Sequence, residues 1–220
     1  MIFKLPRWVW FGAWALAFIA GIINVVGLLG FEHQAVTHLT GTTSLLAAAV
    51  AASDAASVLH FAIMIGSFVG GTVLSGFLIQ DSTLKLGRRY GVALLLESLM
   101  LCGAVLLLQR HSDGGVYLAS GACGLQNAMV STYSGAVVRT THLSGMFTDL
   151  GISLGHALRG LPVDMLRLRL CFLIISAFFS GGVAGAFCFH RLGYSTLLIP
   201  AALTGLTALL YGLRSSPNES

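Results

Sequence analysis

The chain has 220 residues, 56% of them apolar and only 9% charged, with a formal net charge of +4. So low a charge density cannot cover a soluble domain, so a lipid bilayer must be the solvent for most of the chain. The positive balance does not indicate nucleic acid, because no basic stripe with interleaved aromatics occurs.

Lys4 and Arg7 precede the apolar run 8–30. That run is too long for a signal-peptide core and no small-x-small site closes it, so a retained first transmembrane helix is expected. Five more runs reach the length of about 20 residues that a hydrocarbon core requires: 57–79, 90–108, 115–136, 168–189 and 195–213. Two further segments, 36–52 and 139–158, are helical in pattern but short and interrupted by polar residues. The expected fold is therefore an all-α integral membrane protein of six spans and two re-entrant or broken helices.

Lys and Arg beside helix ends favour the cytoplasm. With six spans and a cytoplasmic N-terminus, Lys4, Arg7, Lys85, Arg88, Arg89, Arg139, Arg159, Arg167, Arg169 and Arg214 fall inside; only Arg110 and Arg191 fall outside. Eight full spans would move Lys85, Arg88 and Arg89 outside and leave the bias close to even. The six-span reading, with both termini cytoplasmic, follows.

An internal repeat organises the chain. Thr37-His38-Leu39-Thr40-Gly41 recurs as Thr141-His142-Leu143-Ser144-Gly145, 104 residues on. Gly21-Ile22-Ile23-Asn24 recurs as Gly124-Leu125-Gln126-Asn127 at 103, and Gly70-Gly71 has a counterpart in Gly181-Gly182 at 111. The halves, 1–110 and 111–220, together form one membrane domain. Each holds an odd number of spans, so they enter the membrane from opposite sides. Interrupted segments at equivalent places of inverted repeats point to a solute site near the midplane.

The candidate solute-binding residues are His38, Thr40, Gly41, His142, Ser144 and Gly145, with Asn24 and Asn127 on the preceding spans. Thr or Ser beside Gly suits a helix start, where the hydroxyl accepts from a free amide. Two short helices starting near the centre would aim free N–H groups and partial positive charge at one point, which suits an anion or a polar solute. A histidine there can bind, relay protons or gate. The plainer account is that these groups satisfy one another at a helix break, and that the asparagines pin the broken backbone.

Glu97, Asp149 and Arg139 are candidates for proton coupling, since ionisable groups at membrane depth are seldom idle. Glu97 can pair with Arg139, and Asp149 with Arg139 or His142. His33, His60, His111, His156 and His190 read as solvated span ends. Cys102, Cys123, Cys171 and Cys188 lie in apolar runs without CxxC spacing and read as small core residues, with no metal site. No P-loop, nucleophile elbow or zincin motif occurs, so no cofactor and no enzyme activity are expected.

The stretches Thr37–Ser44, Gly124–Asn127 and above all 133–151, from Tyr133-Ser134-Gly135 through the second motif to Asp149-Leu150-Gly151, resemble the YoaK family of small multi-pass bacterial membrane proteins, a domain family of unknown function. Members often carry Asn after the first Thr-Gly pair, where this chain has Thr42. The resemblance implies a bacterial inner-membrane location and supplies no activity. The residues themselves point to a transporter or channel for a small polar or anionic solute, and an oligomer is compatible with that. The rivals are an intramembrane enzyme acting on lipid, with His38, His142 and Asp149 as acid–base groups, and a non-transporting assembly or sensor protein with a dry centre.

Overall fold

A computed structural model describes residues 7–30, 38–79, 88–133 and 140–214. The expectations placed on Lys4, His33, Thr37, Lys85 and Arg139 lie outside those residues. Every described apolar run is helical: α1 (Arg7–Gly30), α2 (Leu39–Ala51), α3 (Ala55–Leu78), α4 (Arg88–Gln109), α5 (Gly114–Tyr133), α6 (Leu143–Leu158), α7 (Met165–Leu192) and α8 (Leu198–Arg214), with a 3-10 turn at Gly193–Leu197. No strand occurs among the described residues.

Trp8–Gly30, Ala55–Leu78, Arg88–Gln109 and Met165–Tyr211 are long and apolar enough to cross a membrane, the last comprising α7 and most of α8. Their outer faces carry large exposed apolar side chains such as Phe77, Leu99, Phe179 and Phe187. In water such surfaces would associate; in a bilayer they meet their own kind of solvent. This is a membrane protein. The 20-residue α5 has sufficient length but carries Ser120, Gln126, Asn127 and Ser131. It lies inside the bundle, where protein groups can satisfy those polar residues.

The helix ends follow from local chemistry. Asp54 caps α3 by accepting from the Ser57 amide, and Asp164 caps α7 by accepting from Leu166 and Arg167. Pro200 falls in the first turn of α8, where its missing N–H costs little. At Gly193 the chain adopts φ 54°, a left-handed conformation that ends α7 and strains any L side chain.

Two long crossings hold the bundle: α1 on α7 and α3 on α5. At each, glycine lets one backbone touch another. A Cβ on Gly21 would overlap the Phe178 carbonyl, and one on Gly124 the Phe68 carbonyl. Likewise Gly71 meets the Gly121 carbonyl and Gly181 the Phe18 carbonyl. Gly71 and Gly181, one from each expected glycine pair, thus play the same part, each pressing on a carbonyl. Gly70 faces open space and cannot share that role.

The remaining packing joins α4 to α5 and α8, α2 to α3, and α6 to α7. Gly30, Ala56, His60, Leu108, His111, Val116 and Tyr194 surround one cavity. The last residue of α1, the start of α3, the end of α4 and the start of α5 therefore share one end of the molecule. Trp8, Tyr90, Val130 and Tyr211 surround another cleft, at the opposite end. The turn at Ala52–Asp54 ties the C-terminus of α2 to the first end, so its N-terminus points back into the bundle. With 13 residues, α2 rises about 20 Å, short of the roughly 30 Å hydrocarbon thickness.

Candidate functional site

The short helices α2 and α6 begin at His38 and His142, which occupy the N-cap positions without any side-chain capping bond. The expectation that Thr40 and Ser144 cap these helices is corrected. Both lie inside the first turn, too far along to reach back, and their carbonyls accept from the hydroxyls of Ser44 and Thr148. The first amides of both helices thus receive no cap from the side chain at the N-cap position, and backbone donors and partial positive charge gather at each start. Thr42 is buried and its hydroxyl donates to the His38 carbonyl at 3.3 Å.

The two starts share one cavity. His38, Leu39 and Thr40 line it from the first half; Asn127, Ser131, Thr141 and His142 line it from the second. Its volume is about 240 Å³, room for several waters or a small solute. The His38 ring sits edge-on to Phe178, with centroids 6.4 Å apart. Phe178 lies near the middle of α7, so the cavity is at mid-length of a long helix and not at its end.

Asn127 organises one wall. Its Oδ1 accepts from the Thr141 hydroxyl at 3.2 Å, and its carbonyl accepts from the Ser131 hydroxyl at 2.8 Å. With one lone pair of the side-chain oxygen engaged, Asn127 has both donors of its NH2 group and one further acceptor position to offer. Asn24, its repeat counterpart, is buried on α1 and does not line the cavity. Gly41, Ser144 and Gly145 do not line it either. Gly145 has a different use: a Cβ there would overlap the His142 ring, which folds over the first turn of α6. Sequence reasoning missed Ser131 and Thr141 as wall residues. Ser131 is one turn beyond Asn127, and Thr141 opens the second motif, so both signals were present.

The ionisable candidates stand apart from the cavity. Glu97 is fully buried in α4 and accepts from Gln126 Nε2 at 2.9 Å through Oε1. Its Oε2 has no hydrogen-bond partner among the described residues. This bond ties Glu97 to α5, where Gln126 is the neighbour of Asn127; Arg139, the partner expected for Glu97, lies outside the described residues. Asp149 is not paired with His142, and Arg139 lies outside the described residues. It takes a two-pronged contact from Arg167, Nε to Oδ2 at 3.0 Å and Nη2 to Oδ1 at 2.8 Å. Two turns along α6 from His142, Asp149 faces the start of α7, where Arg167 reaches it. Arg167 thus has a structural partner beyond any part in topology.

His60, expected to be solvated, lies half-buried with Nδ1 3.0 Å from the Tyr117 hydroxyl. Cys123 and Cys171 are buried, as core residues should be, and all four cysteines are free. Among the described residues, no group of three His, Cys, Asp or Glu side chains could hold a metal ion.

No curated protein and no solved structure matches the chain. A family model described as a protein of unknown function, DUF1275, matches residues 12–210. That match takes in both Thr-His-Leu motifs and all or most of every long helix, consistent with the YoaK resemblance. The chain belongs to the DUF1275 family.

Proposed function

We propose that this protein moves a small polar or anionic solute across the bacterial inner membrane through the cavity between the starts of α2 and α6. One observation carries the reading: His38 and Thr40 share one cavity with Thr141 and His142, and the His38 ring lies against Phe178 of the middle of α7. Polar groups at membrane depth need partners, because lipid offers none. The two helix starts present backbone donors, and the NH2 of Asn127 and an N–H of each imidazole add to them, which suits a solute that carries acceptors.

In this reading six helices cross and α2 and α6 enter halfway, in two inverted repeats. The matched glycine crossings support it, since α1 on α7 and α5 on α3 exchange under the repeat. So does the placement of Arg88 and Arg89 at the same end as Trp8, which keeps the basic residues on the side assigned to the cytoplasm. Asp149 is engaged by Arg167, so Glu97 is the remaining described acid for proton coupling. Its reach to the cavity runs through Gln126 and the adjacent Asn127.

Uptake of a panel of small anions and polar metabolites into proteoliposomes tests the proposal. At least one solute should enter, and His38→Ala or His142→Ala should cut its uptake tenfold or more while the protein stays folded. Unchanged uptake in both folded variants would reassign the histidines to structure.

A further inference from the structure

A cleft opens sideways between α1 and α8, and nothing in the transport reading uses it. Trp8, Gly12 and Leu16 of α1 form one wall, Tyr211 of α8 the other, and Tyr90 and Leu94 of α4 the floor. It exists because of how the helices pair. α4 packs along both α5 and α8, whereas α1 is committed to α7 and meets α8 only sparingly. The cleft is apolar even where threonines line it. The Thr204 hydroxyl donates back to the Pro200 and Ala201 carbonyls, and the Thr207 hydroxyl to Leu203. Their polarity is spent inside α8.

The length and mouth of the cleft indicate what fills it. Along α1 it runs from Trp8 to Ile19, a rise of about 16 Å at 1.5 Å per residue. That is close to one leaflet, half of a hydrocarbon core of about 30 Å. The mouth carries Trp8 and Tyr211, rings that suit the level of lipid headgroups, above the buried Tyr90. Beside Tyr90, in the first turn of α4, Arg88 and Arg89 are exposed. Two exposed arginines in the turn that leads into Tyr90 put positive charge at this end of an apolar, leaflet-deep cleft, which complements a phosphate on an acyl chain.

We propose that this cleft is a binding site for an anionic phospholipid, with one acyl chain lying between α1 and α8 and its phosphate against Arg88 and Arg89. A zwitterionic lipid would fill the cleft with the same chain but gain less from the arginines, because its own ammonium offsets the phosphate. Gly12 is the natural control point, since a side chain added there meets open space inside the cleft.

The test uses the full-length protein in mild detergent, with native mass spectrometry and thermal unfolding at matched additions of phosphatidylglycerol or phosphatidylcholine. Phosphatidylglycerol should be retained with a preference on the order of tenfold, given two basic side chains at the headgroup. It should also raise the unfolding midpoint more than phosphatidylcholine does. Gly12→Phe should remove retention of both lipids, whereas Arg88→Ala with Arg89→Ala should bring the two lipids to parity. The arginine variant changes only exposed positions and decides the matter alone if Gly12→Phe does not fold. Equal retention of both lipids by the unmodified protein, or an undiminished preference in the arginine variant, would overturn the proposal.

Discussion

Gly124 of α5 lies directly against the carbonyl oxygen of Phe68 on α3. Gly21 of α1 meets the carbonyl of Phe178 on α7 in the same way, 103 residues earlier in the chain. Neither contact tolerates a methyl group without moving backbone. Gly124→Ala and Gly21→Ala should each lower stability by about 1–3 kcal/mol, the cost of overpacking, as read from thermal unfolding in detergent. Gly66→Ala and Gly70→Ala face open space and should leave the midpoint unchanged or slightly raised. A neutral Gly124→Ala would mean that the α3–α5 crossing is looser than described.

Glu97 and Gln126 form a buried pair whose two members should respond unequally to change. Glu97→Gln keeps shape and a hydrogen-bonding oxygen, so the fold should persist. Glu97→Ala strands the Gln126 amide and should cost about 1–3 kcal/mol. If Glu97 carries the coupled proton, Glu97→Gln should also flatten the dependence of uptake on a pH gradient. A variant that keeps that dependence would remove Glu97 from the coupling.

The Asp149–Arg167 contact is well formed but part exposed, with side chains 21% and 63% accessible. Solvent screening limits such a pair to about 1 kcal/mol or less. A double-mutant cycle with Asp149→Asn and Arg167→Gln should return a coupling in that range, and exchanging the two charges should restore part of it. A coupling several times larger would mark the start of α7 as shielded from water.

Asp54, in the turn between α2 and α3, accepts from both the hydroxyl and the amide of Ser57. The hydroxyl bond, above all, holds its carboxyl below the ordinary range. A depressed folded value stabilises above the unfolded value of about 4 and is lost as pH falls through the folded one. Proteolysis at the α2–α3 turn should therefore rise below about pH 4, and Asp54→Asn should show less of that change. Identical acid profiles for both proteins would count against the cap.

Much of the helical layout was legible in the sequence, because long apolar runs have few alternatives in a bilayer. The run 8–30 is α1 to within a residue, and 36–52 and 139–158 contain α2 and α6. The paired Thr-His-Leu motifs mark the starts of α2 and α6. What stayed hidden depends on which faces meet. Gly70 and Gly71 look alike in sequence, yet only Gly71 presses on a neighbour. Asp149 was assigned partners close in sequence, whereas the fold brings Arg167 to it. Asn24 and Asn127 match in the repeat, but only Asn127 borders the cavity, since α5 and α1 turn different faces to the centre.

Topology is open to a simple check. With Cys102, Cys123, Cys171 and Cys188 replaced, a cysteine at position 85 should react with an impermeant reagent only from the cytoplasmic side. Labelling from outside would favour eight full spans.

The central claim is that water and solute reach the cavity between the two breaks. The most direct measurement is the reaction rate of cysteines placed at Thr40 and Ser131 with a small, charged, membrane-impermeant thiol reagent, in the same cysteine-free background. Both line the cavity between the two helix starts. Both should react, with Ala62→Cys on the outer face of α3 as the lipid-facing control that does not, and a transported solute should slow the reaction. Thr40 and Ser131 cysteines that stay as inert as the control would show a sealed, dry centre and contradict the account.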